Sequence, residues 1–392
     1  MAREYKDSGI EWIGRIPMDW KTCRFKYAGS FVKGKLPSEQ NIEHKGIPII
    51  GASEMLGKEP RSFTLDDTLP LCSKDSILIL WDGANAGIVA NNCEGVVSST
   101  TVRYNCTDKR LNKQYIYYLL KYYENYFKSK VNGTTIPHMN QQFIDDCMCF
   151  LPPYEEQRKI ANYLDKKCGE IDALIALQEQ MILQLTDYKQ SVITEAVTKG
   201  LYPNATFVPS GIDWIGDVPE GWKVAKAKYF VSINNGSDPQ EEGNIPVYGS
   251  GASSFKTCGE YKEGPTVLIG RKGATLHIPH YIEGRYWNVD TAFDVKIKKE
   301  MSLRYYYYLA ICFDYKYYIS QTTLPGMAQS SYYNMQIPVP PLSEQHAIAS
   351  YLDMKCSEID SLVELKQQKI DSLKDYKKSV IYEAVTGKTN ID

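Results

Sequence analysis

The chain contains one block of sequence twice, and this repeat constrains the fold more than any other feature. Residues 152–198 and 340–386 share 29 identical residues in 47 positions aligned without a gap. A second matching pair, Ser8–Gly14 and Ser210–Gly216, precedes the blocks at an offset of 202 rather than 188 residues. Segments repeated in the same order predict two structurally equivalent halves. The net difference of 14 residues between the offsets is expected to lie in surface loops.

Each repeated block begins with two prolines and has apolar residues at spacings of three and four, the pattern of an amphipathic helix. Gly200 and Gly387 follow the blocks, where a helix is expected to end. We expect helices over 155–198 and 343–386 that pack antiparallel as an intramolecular coiled coil, related by a pseudo-two-fold. The predicted helix–helix interface consists of Ile171, Leu174, Ile182, Leu185, Ile359, Leu362, Ile370 and Leu373.

The regions between the blocks are dissimilar and have the pattern of mixed α/β domains. Short apolar runs at 47–50, 76–81 and 266–269 are bounded by glycine turns, which predicts strands. Tyrosine-rich segments at 114–127 and 303–318 are predicted to be amphipathic helices at matched positions. The chain is therefore divided into a first domain at 1–150, a first helix at 151–200, a second domain at 201–338 and a second helix at 339–392.

Composition excludes several classes of protein. The longest apolar runs, such as Ile77–Trp81, are far shorter than the ~20 residues of a membrane helix, and no signal-peptide pattern follows Met1. The ten cysteines include no Cys-x-x-Cys pair. They are expected to be free thiols in a reducing cytoplasm, with no disulfide between Cys168 and Cys356.

In its order of motifs, the chain resembles the specificity subunit of type I restriction-modification systems. The resemblance covers almost the whole chain. The motifs that carry it are Pro17-x-x-Trp20 with Pro219-x-x-Trp222, the paired Pro-Pro-x-x-Glu-Gln helix starts, the segment 269–274 (Ile-Gly-Arg-Lys-Gly-Ala) and the segment 133–140 (Gly-Thr-Thr-Ile-Pro-His-Met-Asn).

This resemblance implies a non-catalytic, sequence-specific DNA-binding subunit. Each variable domain would be a target-recognition domain that reads one half of a bipartite sequence in double-stranded DNA. The helices would set the spacer and dock two modification subunits, which bind S-adenosylmethionine and methylate adenine. Restriction and translocase subunits would complete the complex, and this chain itself would hold no cofactor and no metal.

Candidate DNA contacts are polar and basic residues in loops of the two domains. Arg271 and Lys272 follow a predicted strand, and such side chains can donate to guanine O6 and N7. Lys33 and Lys35 flank Gly34 in a predicted loop and suit phosphate contacts. The complete set of candidates is Lys33, Lys35, Asn85, Thr134, His138, Asn140, Gln141, Arg271, Lys272, Thr275, Gln329 and Ser330.

Formal charge is spread evenly, with a net charge of -2 for the chain. The first predicted domain has 19 basic and 17 acidic residues, the second has 13 of each, and the helices carry the acidic excess. Because neither domain is strongly basic, partner subunits are expected to supply part of the phosphate neutralisation.

Two other functions stay open from the sequence. Leu151-Pro152-Pro153-Tyr154 resembles the Pro-Pro-Tyr site of a self-contained DNA adenine N6-methyltransferase. However, Leu151 stands where those enzymes carry an Asp, Asn or Ser that binds the target amino group, and no glycine-rich cofactor loop follows a strand. The other alternative is a helical scaffold without a DNA role, against which the basic glycine turns argue. His277-Ile278-Pro279-His280 is interpreted as a loop or strand rather than a metal site.

Overall fold

The computed structural model describes residues 3–11, 13–131, 137–251, 253–298, 300–319 and 325–391. The chain forms two compact units. The first unit consists of Met1–Gln178 with Lys369–Asp392, and the second consists of Glu179–Gln368. Each unit therefore combines one mixed α/β domain with a part of each long helix, and each is described by itself.

The elements of the first domain, in chain order, are β1 (Tyr5–Asp7), β2 (Arg15–Pro17), β3 (Lys21–Arg24), β4 (Gly29–Lys33), β5 (Ile47–Ile50), α1 (Ala52–Met55), β6 (Phe63–Thr64), β7 (Leu71–Cys72), β8 (Ile77–Leu80), β9 (Val89–Ala90), β10 (Gly95–Val97), β11 (Thr101–Cys106), α2 (Lys113–Tyr122), α3 (Glu124–Lys130), α4 (Gln141–Asp145) and β12 (Met148–Leu151). The long helix α5 (Tyr154–Lys199) follows.

The elements of the second domain are β13 (Phe207–Pro209), β14 (Asp217–Pro219), β15 (Lys223–Lys226), β16 (Val231–Asn235), β17 (Ile245–Tyr248), β18 (Lys256–Cys258), β19 (Lys262–Glu263), β20 (Thr266–Gly270), β21 (His280–Ile282), β22 (Arg285–Asn288), β23 (Ala292–Ile297), α6 (Leu303–Ile311), α7 (Tyr315–Tyr318), α8 (Gln329–Asn334) and β24 (Gln336–Val339). The second long helix, α9 (Leu342–Val385), follows.

The same sheets occur in both domains. An antiparallel sheet has the order β4-β11-β8-β9 in the first domain and β16-β23-β20-β21 in the second. A mixed sheet has the order β6-β5-β10-β7 in the first and β18-β17-β22-β19 in the second, with β5–β10 and β17–β22 parallel. All residues of β8 and β20 are buried, as expected for central strands covered on both faces. The predictions of mixed α/β domains and of an internal repeat are confirmed.

The tyrosine-rich segments differ from the prediction of one helix each. The segment 114–127 forms α2 and α3, which meet at Tyr123, and the segment 303–318 forms α6 and α7. In the first unit Glu124, the first residue of α3, accepts a hydrogen bond from the backbone of Val89 at 2.8 Å. Tyr123 and Phe127 lie four residues apart, on one helical face, and are 1% and 0% exposed.

The long helices run antiparallel, as predicted. In the first unit, Asp172 of α5 forms an ion pair of 2.6 Å with Lys377 near the end of α9. In the second unit, Asp360 of α9 forms the equivalent pair of 2.7 Å with Lys189 near the end of α5. Each pair joins the earlier part of one helix to the later part of the other.

The predicted interface residues of the helices differ in burial. Ile171, Ile359, Ile370 and Leu373 are buried, and Ile182 and Leu185 are half-buried. Leu174 and Leu362 are 47% and 45% exposed, so about half of each side chain contacts solvent. The role of the eight residues as a spacing element stays a prediction.

A buried glutamine joins each long helix to its domain. In the first unit, Gln157 accepts a hydrogen bond from the Asn112 amide at 2.8 Å and donates to the carbonyls of Arg110 and Pro152. Beside it, the Trp20 indole N–H donates to Glu156 at 3.1 Å. The Pro-Pro-x-x-Glu-Gln motif is therefore the hydrogen-bonded junction between the domain and the helix.

The second unit has the same junction. Gln345 accepts from the Ser302 amide at 2.8 Å and donates to the carbonyls of Glu300 and Pro340 at 3.0 and 2.9 Å. The Trp222 indole donates to Glu344 at 3.1 Å. These paired contacts give a physical reason for the repeated sequence motif.

Cys168 and Cys356 are buried free thiols, one in each unit. Within the described ranges, no helix combines the length and apolar character that a membrane span requires.

Candidate nucleic-acid interface

In the first unit, a tight turn follows the last residue of β8, an inner strand of the antiparallel sheet. The amides of Trp81 and Asp82 both donate to the Thr100 carbonyl, at 2.8 and 3.3 Å. The amide of Gly83 donates to the Pro137 carbonyl at 2.9 Å, which ties the turn to the segment ahead of α4. Gly83 has a φ of 97°, a left-handed conformation that favours glycine. The backbone of this turn is thus held by contacts that do not use its side chains.

The turn after β20 in the second unit has the same hydrogen bonds. The amides of Arg271 and Lys272 donate to the Thr291 carbonyl at 2.8 and 3.2 Å, and that of Gly273 donates to Pro325 at 2.9 Å. Gly273 has a φ of 115°. Asp82 and Lys272 therefore occupy equivalent backbone positions.

Asp82 and Trp81 of the first turn form a cluster with two side chains from other segments, Lys33 at the end of β4 and His138 ahead of α4. The Asp82 carboxylate is hydrogen-bonded to Nδ1 of His138 and lies 3.8 Å from the Lys33 ammonium. Trp81 is buried, and its ring packs edge to face against the His138 ring, with 6.4 Å between the two ring centroids. The imidazole is thus fixed from two sides while its side chain stays 56% exposed.

The second turn carries two cations in the equivalent place. The Arg271 guanidinium lies over the Phe293 ring, 5.7 Å from the ring centroid, and donates a hydrogen bond to the Asp290 carbonyl at 3.3 Å. The Lys272 ammonium is 4.0 Å from the Asp290 carboxylate, a separation at the limit of an ion pair. Since Lys272 is 46% exposed, water screens much of this attraction, and the ammonium can reach another acceptor.

A glycine beside each turn allows two strands to approach closely. A Cβ at Gly34 would lie 2.0 Å from the Ser98 carbonyl oxygen, and one at Gly236 would lie 2.1 Å from that of Val289. No larger residue fits at either position without a backbone shift. Lys33, on one side of Gly34, lies next to the first turn through its contact with Asp82, and both Lys33 and Lys35 are exposed.

Other candidates are engaged in local structure. The Asn140 side chain caps α4 by accepting from the Gln142 amide at 2.9 Å. Gln141 donates to Asp145 at 3.1 Å, one helical turn away. Gln329 donates to the carbonyl of Ile233.

The remaining candidates have different surroundings. Asn85 and Ser330 are exposed, whereas the Thr275 hydroxyl donates to the Ser250 carbonyl at 2.8 Å. Thr134 lies outside the described residues. Lys33 and His138 are therefore brought together in the first unit, and Arg271 and Lys272 in the second. DNA contact by any of these residues stays a prediction.

Sequence reasoning missed Asp82 and Asp290 as site residues. Both carboxylates lie within 4.0 Å of a candidate cation. The signal was the alignment of Asp82-Gly83-Ala84 with Lys272-Gly273-Ala274, which places an acid and a base at one repeat position.

The sequences that could suggest another chemistry have structural roles. Leu151 is the last residue of β12 and pairs with Lys21, and α5 begins at Tyr154. His280 lies in β21, where burial lowers its pKa and favours the neutral ring. Among the described residues, no group of three or more His, Cys, Asp or Glu is arranged to hold a metal ion.

Comparison with known proteins gives one consistent family. The profile of the "Type I restriction modification DNA specificity domain" matches residues 17–186 and again 219–378. The MjaVIII type I restriction enzyme specificity subunit of Methanocaldococcus jannaschii is 27% identical over 412 residues, which cover 96% of this chain and 94% of that protein. The putative MjaX specificity subunit of the same organism is 24% identical over 429 residues, which cover 97% of this chain and 96% of that protein.

One solved structure has the same fold. It comes from a study of complex assembly and conformational transition of the type I R-M system and superposes with a TM-score of 0.70. The superposition covers 95% of this chain and 99% of that one at 16% sequence identity. At this identity the likeness supports the fold alone.

Proposed function

The chain belongs to the type I restriction-modification DNA specificity family, and from that premise we propose that it reads a bipartite DNA sequence for such a system. Each unit reads one half of the target through the turn after β8 or β20 and its neighbouring loops. The observation that carries the proposal is that the two turns have the same backbone hydrogen bonds and different side chains. A constant scaffold with a variable surface is what recognition of two different half-sites requires.

The direct test is selection of bound duplexes from a randomised library by the modification complex. We expect the complex with this chain to enrich a motif in two parts separated by unspecified bases. A complex assembled without this chain should enrich none. Exchange of residues 28–150 for the matching region of another family member should then change one half of the motif only. A change in both halves would contradict the assignment of one half-site to each unit.

The partners proposed besides double-stranded DNA are two modification subunits and the restriction and translocase subunits. Support for two copies comes from exposed apolar side chains that recur at the 188-residue offset. In the first unit they are Leu174, Leu177 and Tyr376, and in the second Leu362, Leu365 and Tyr188, all between 45% and 59% exposed. The two leucines of each set lie one helical turn apart, and exposed apolar patches mark interaction surfaces. One such set in each unit fits two copies of one partner.

A pair of substitutions tests this stoichiometry. Leu174→Lys with Leu177→Lys should reduce the number of bound modification subunits from two to one, as measured by native mass spectrometry. Leu183→Lys is the matched control, because Leu183 is 67% exposed but its repeat counterpart is Asp371. If the double variant retained both copies, docking would have to occur elsewhere.

The helices are proposed to set the spacer between the half-sites. An insertion of four residues after both Gln178 and Gln368 falls at the boundaries of the units and keeps the Asp172–Lys377 and Asp360–Lys189 pairs intact. Four helical residues add about 6 Å and about 40°. The selected spacer should lengthen by about one to two base pairs, since a DNA turn of about 34 Å contains about 10 base pairs. An unchanged spacer at full affinity would assign the spacing to the partner subunits.

Chemistry is proposed to reside in the partners. The modification subunits bind S-adenosylmethionine and transfer the methyl group, and the restriction subunits cleave DNA. This chain supplies recognition, and we place its action in the cytoplasm, where its DNA substrate is accessible.

A further inference from the structure

We propose that the two units read bases with opposite hydrogen-bonding character. The first unit accepts a hydrogen bond from the N4 amino group of a cytosine through Asp82, with His138 beside it. The second unit donates hydrogen bonds to O6 and N7 of a guanine through Arg271 and Lys272. This inference rests on the proposed function and deepens it, because it assigns base chemistry to each half-site.

The observation that carries it is a reversal of charge at one backbone position. Asp82 and Lys272 each donate their amide to the same acceptor, the carbonyl of Thr100 or Thr291. The neighbouring charge is reversed as well. The Lys33 ammonium lies 3.8 Å from the Asp82 carboxylate, whereas the Asp290 carboxylate lies 4.0 Å from the Lys272 ammonium. Because the backbone is held without these side chains, the reversal is not required by the fold.

The first turn presents acceptors. The Asp82 carboxylate has two oxygens, and Oδ1 is hydrogen-bonded to Nδ1 of His138. The carboxylate therefore suits an amino group in the major groove, where Asp and Glu pair with cytosine N4. Guanine and thymine present O6 and O4 acceptors there, which a carboxylate repels.

The second turn presents donors. The Arg271 guanidinium is restrained by the Phe293 ring and by the Asp290 carbonyl, which leaves other N–H groups of its five to donate to a base. Lys272 adds an exposed ammonium one residue away. Arg and Lys pair with guanine O6 and N7, the commonest base-specific contact in protein–DNA complexes. Adenine offers an N6 donor in place of O6 and is disfavoured by both cations.

The test uses Asp82→Asn and Lys272→Gln in the complete modification complex with a randomised duplex library. Asp82→Asn should shift one position of one half-site from cytosine towards adenine, which an amide can contact through N6 and N7. Lys272→Gln should relax a guanine in the other half-site. Each change should alter the relative enrichment at that position roughly 5- to 150-fold, the range of one good base contact.

The controls carry the same charge changes elsewhere in each unit. Asp67→Asn removes an exposed carboxylate between β6 and β7, and Lys223→Gln removes an exposed ammonium in β15. Both should select the wild-type motif. Melting curves of all four variants should match that of the wild type, because the backbone bonds of the turns remain.

Three outcomes overturn the inference. In the first, Asp82→Asn and Lys272→Gln both retain the wild-type preference at every position. In the second, both variants alter the same half-site. In the third, the wild-type motif has no G·C pair in one of its halves, which contradicts the assignment without any variant. Failure of the proposed function is distinguishable, since the wild-type complex would then select no motif at all.

Discussion

Replacement of Gln345 by leucine should destabilise the second unit strongly. The Gln345 side chain is 0% exposed. Its Oε1 accepts from the Ser302 amide at the start of α6, and its Nε2 donates to the carbonyls of Glu300 and Pro340. Leucine has a similar size but can make none of these bonds, so the three backbone groups lose their partner.

The magnitude follows from the surroundings of those groups. The bonds to Ser302 and Pro340 are buried, and a buried polar group without a partner costs about 1 to 3 kcal/mol. The bond to Glu300 is part-buried, and its loss costs about 1 kcal/mol. We therefore expect the free energy of unfolding to fall by about 3 to 7 kcal/mol. The lower end applies if water reaches the cavity or if leucine gains apolar contacts.

The assay is urea unfolding followed by circular dichroism, combined with hydrogen exchange of peptides that contain Ser302. Gln184→Leu is the matched control, because Gln184 is an exposed residue of α5. The Ser302 amide should exchange faster in Gln345→Leu and at the wild-type rate in the control. The reasoning would be refuted by equal unfolding midpoints for the two variants together with unchanged exchange at Ser302.

Three further predictions concern single contacts. Trp222→Phe should lower the free energy of unfolding by about 1.5 to 3 kcal/mol in urea titrations, because its indole donates to the Glu344 carboxylate. Lys189→Met should change it by less than about 1 kcal/mol in the same titrations, since the pair with Asp360 is exposed to solvent. Iodoacetamide at pH 8 should alkylate Cys23 before Cys147 in peptide mass spectra: a hydrogen bond from Cys149 lowers the pKa of Cys23, whereas burial raises that of Cys147 to about 12.

The long helices could be predicted from sequence because their signals are local and strong. Prolines at the start, apolar residues at helical spacing and the terminal glycines predicted 155–198 and 343–386, and the structure has Tyr154–Lys199 and Leu342–Val385. Gly200 and Gly387 have φ values of 74° and 68°, the conformation that ends a helix. The antiparallel pairing followed from the requirement that two similar apolar stripes be covered.

The break between α2 and α3 could not be predicted, because neither glycine nor proline stands near Tyr123 to mark the end of a helix. The bond from the Val89 amide to Glu124 spans 35 residues, and the local pattern of tyrosines is compatible with one continuous helix. The same limit applies to the site. The basic pair Arg271 and Lys272 stands out in the sequence, but the cluster of Lys33, Asp82 and His138 is assembled from three separate segments.

The two units separate the groups that hold each turn from the groups that the turn presents. The hydrogen bonds to the Thr100 and Thr291 carbonyls use backbone amides, which every residue except proline supplies. Side-chain identity at 82 and 272 is therefore free to change without loss of those bonds, and the two units show the change in its most extreme form, from an acid to a base. It follows that substitutions at these two positions should change the DNA sequence preference far more than the free energy of unfolding. Substitutions at Gln157 and Gln345 should change the free energy of unfolding far more than the sequence preference.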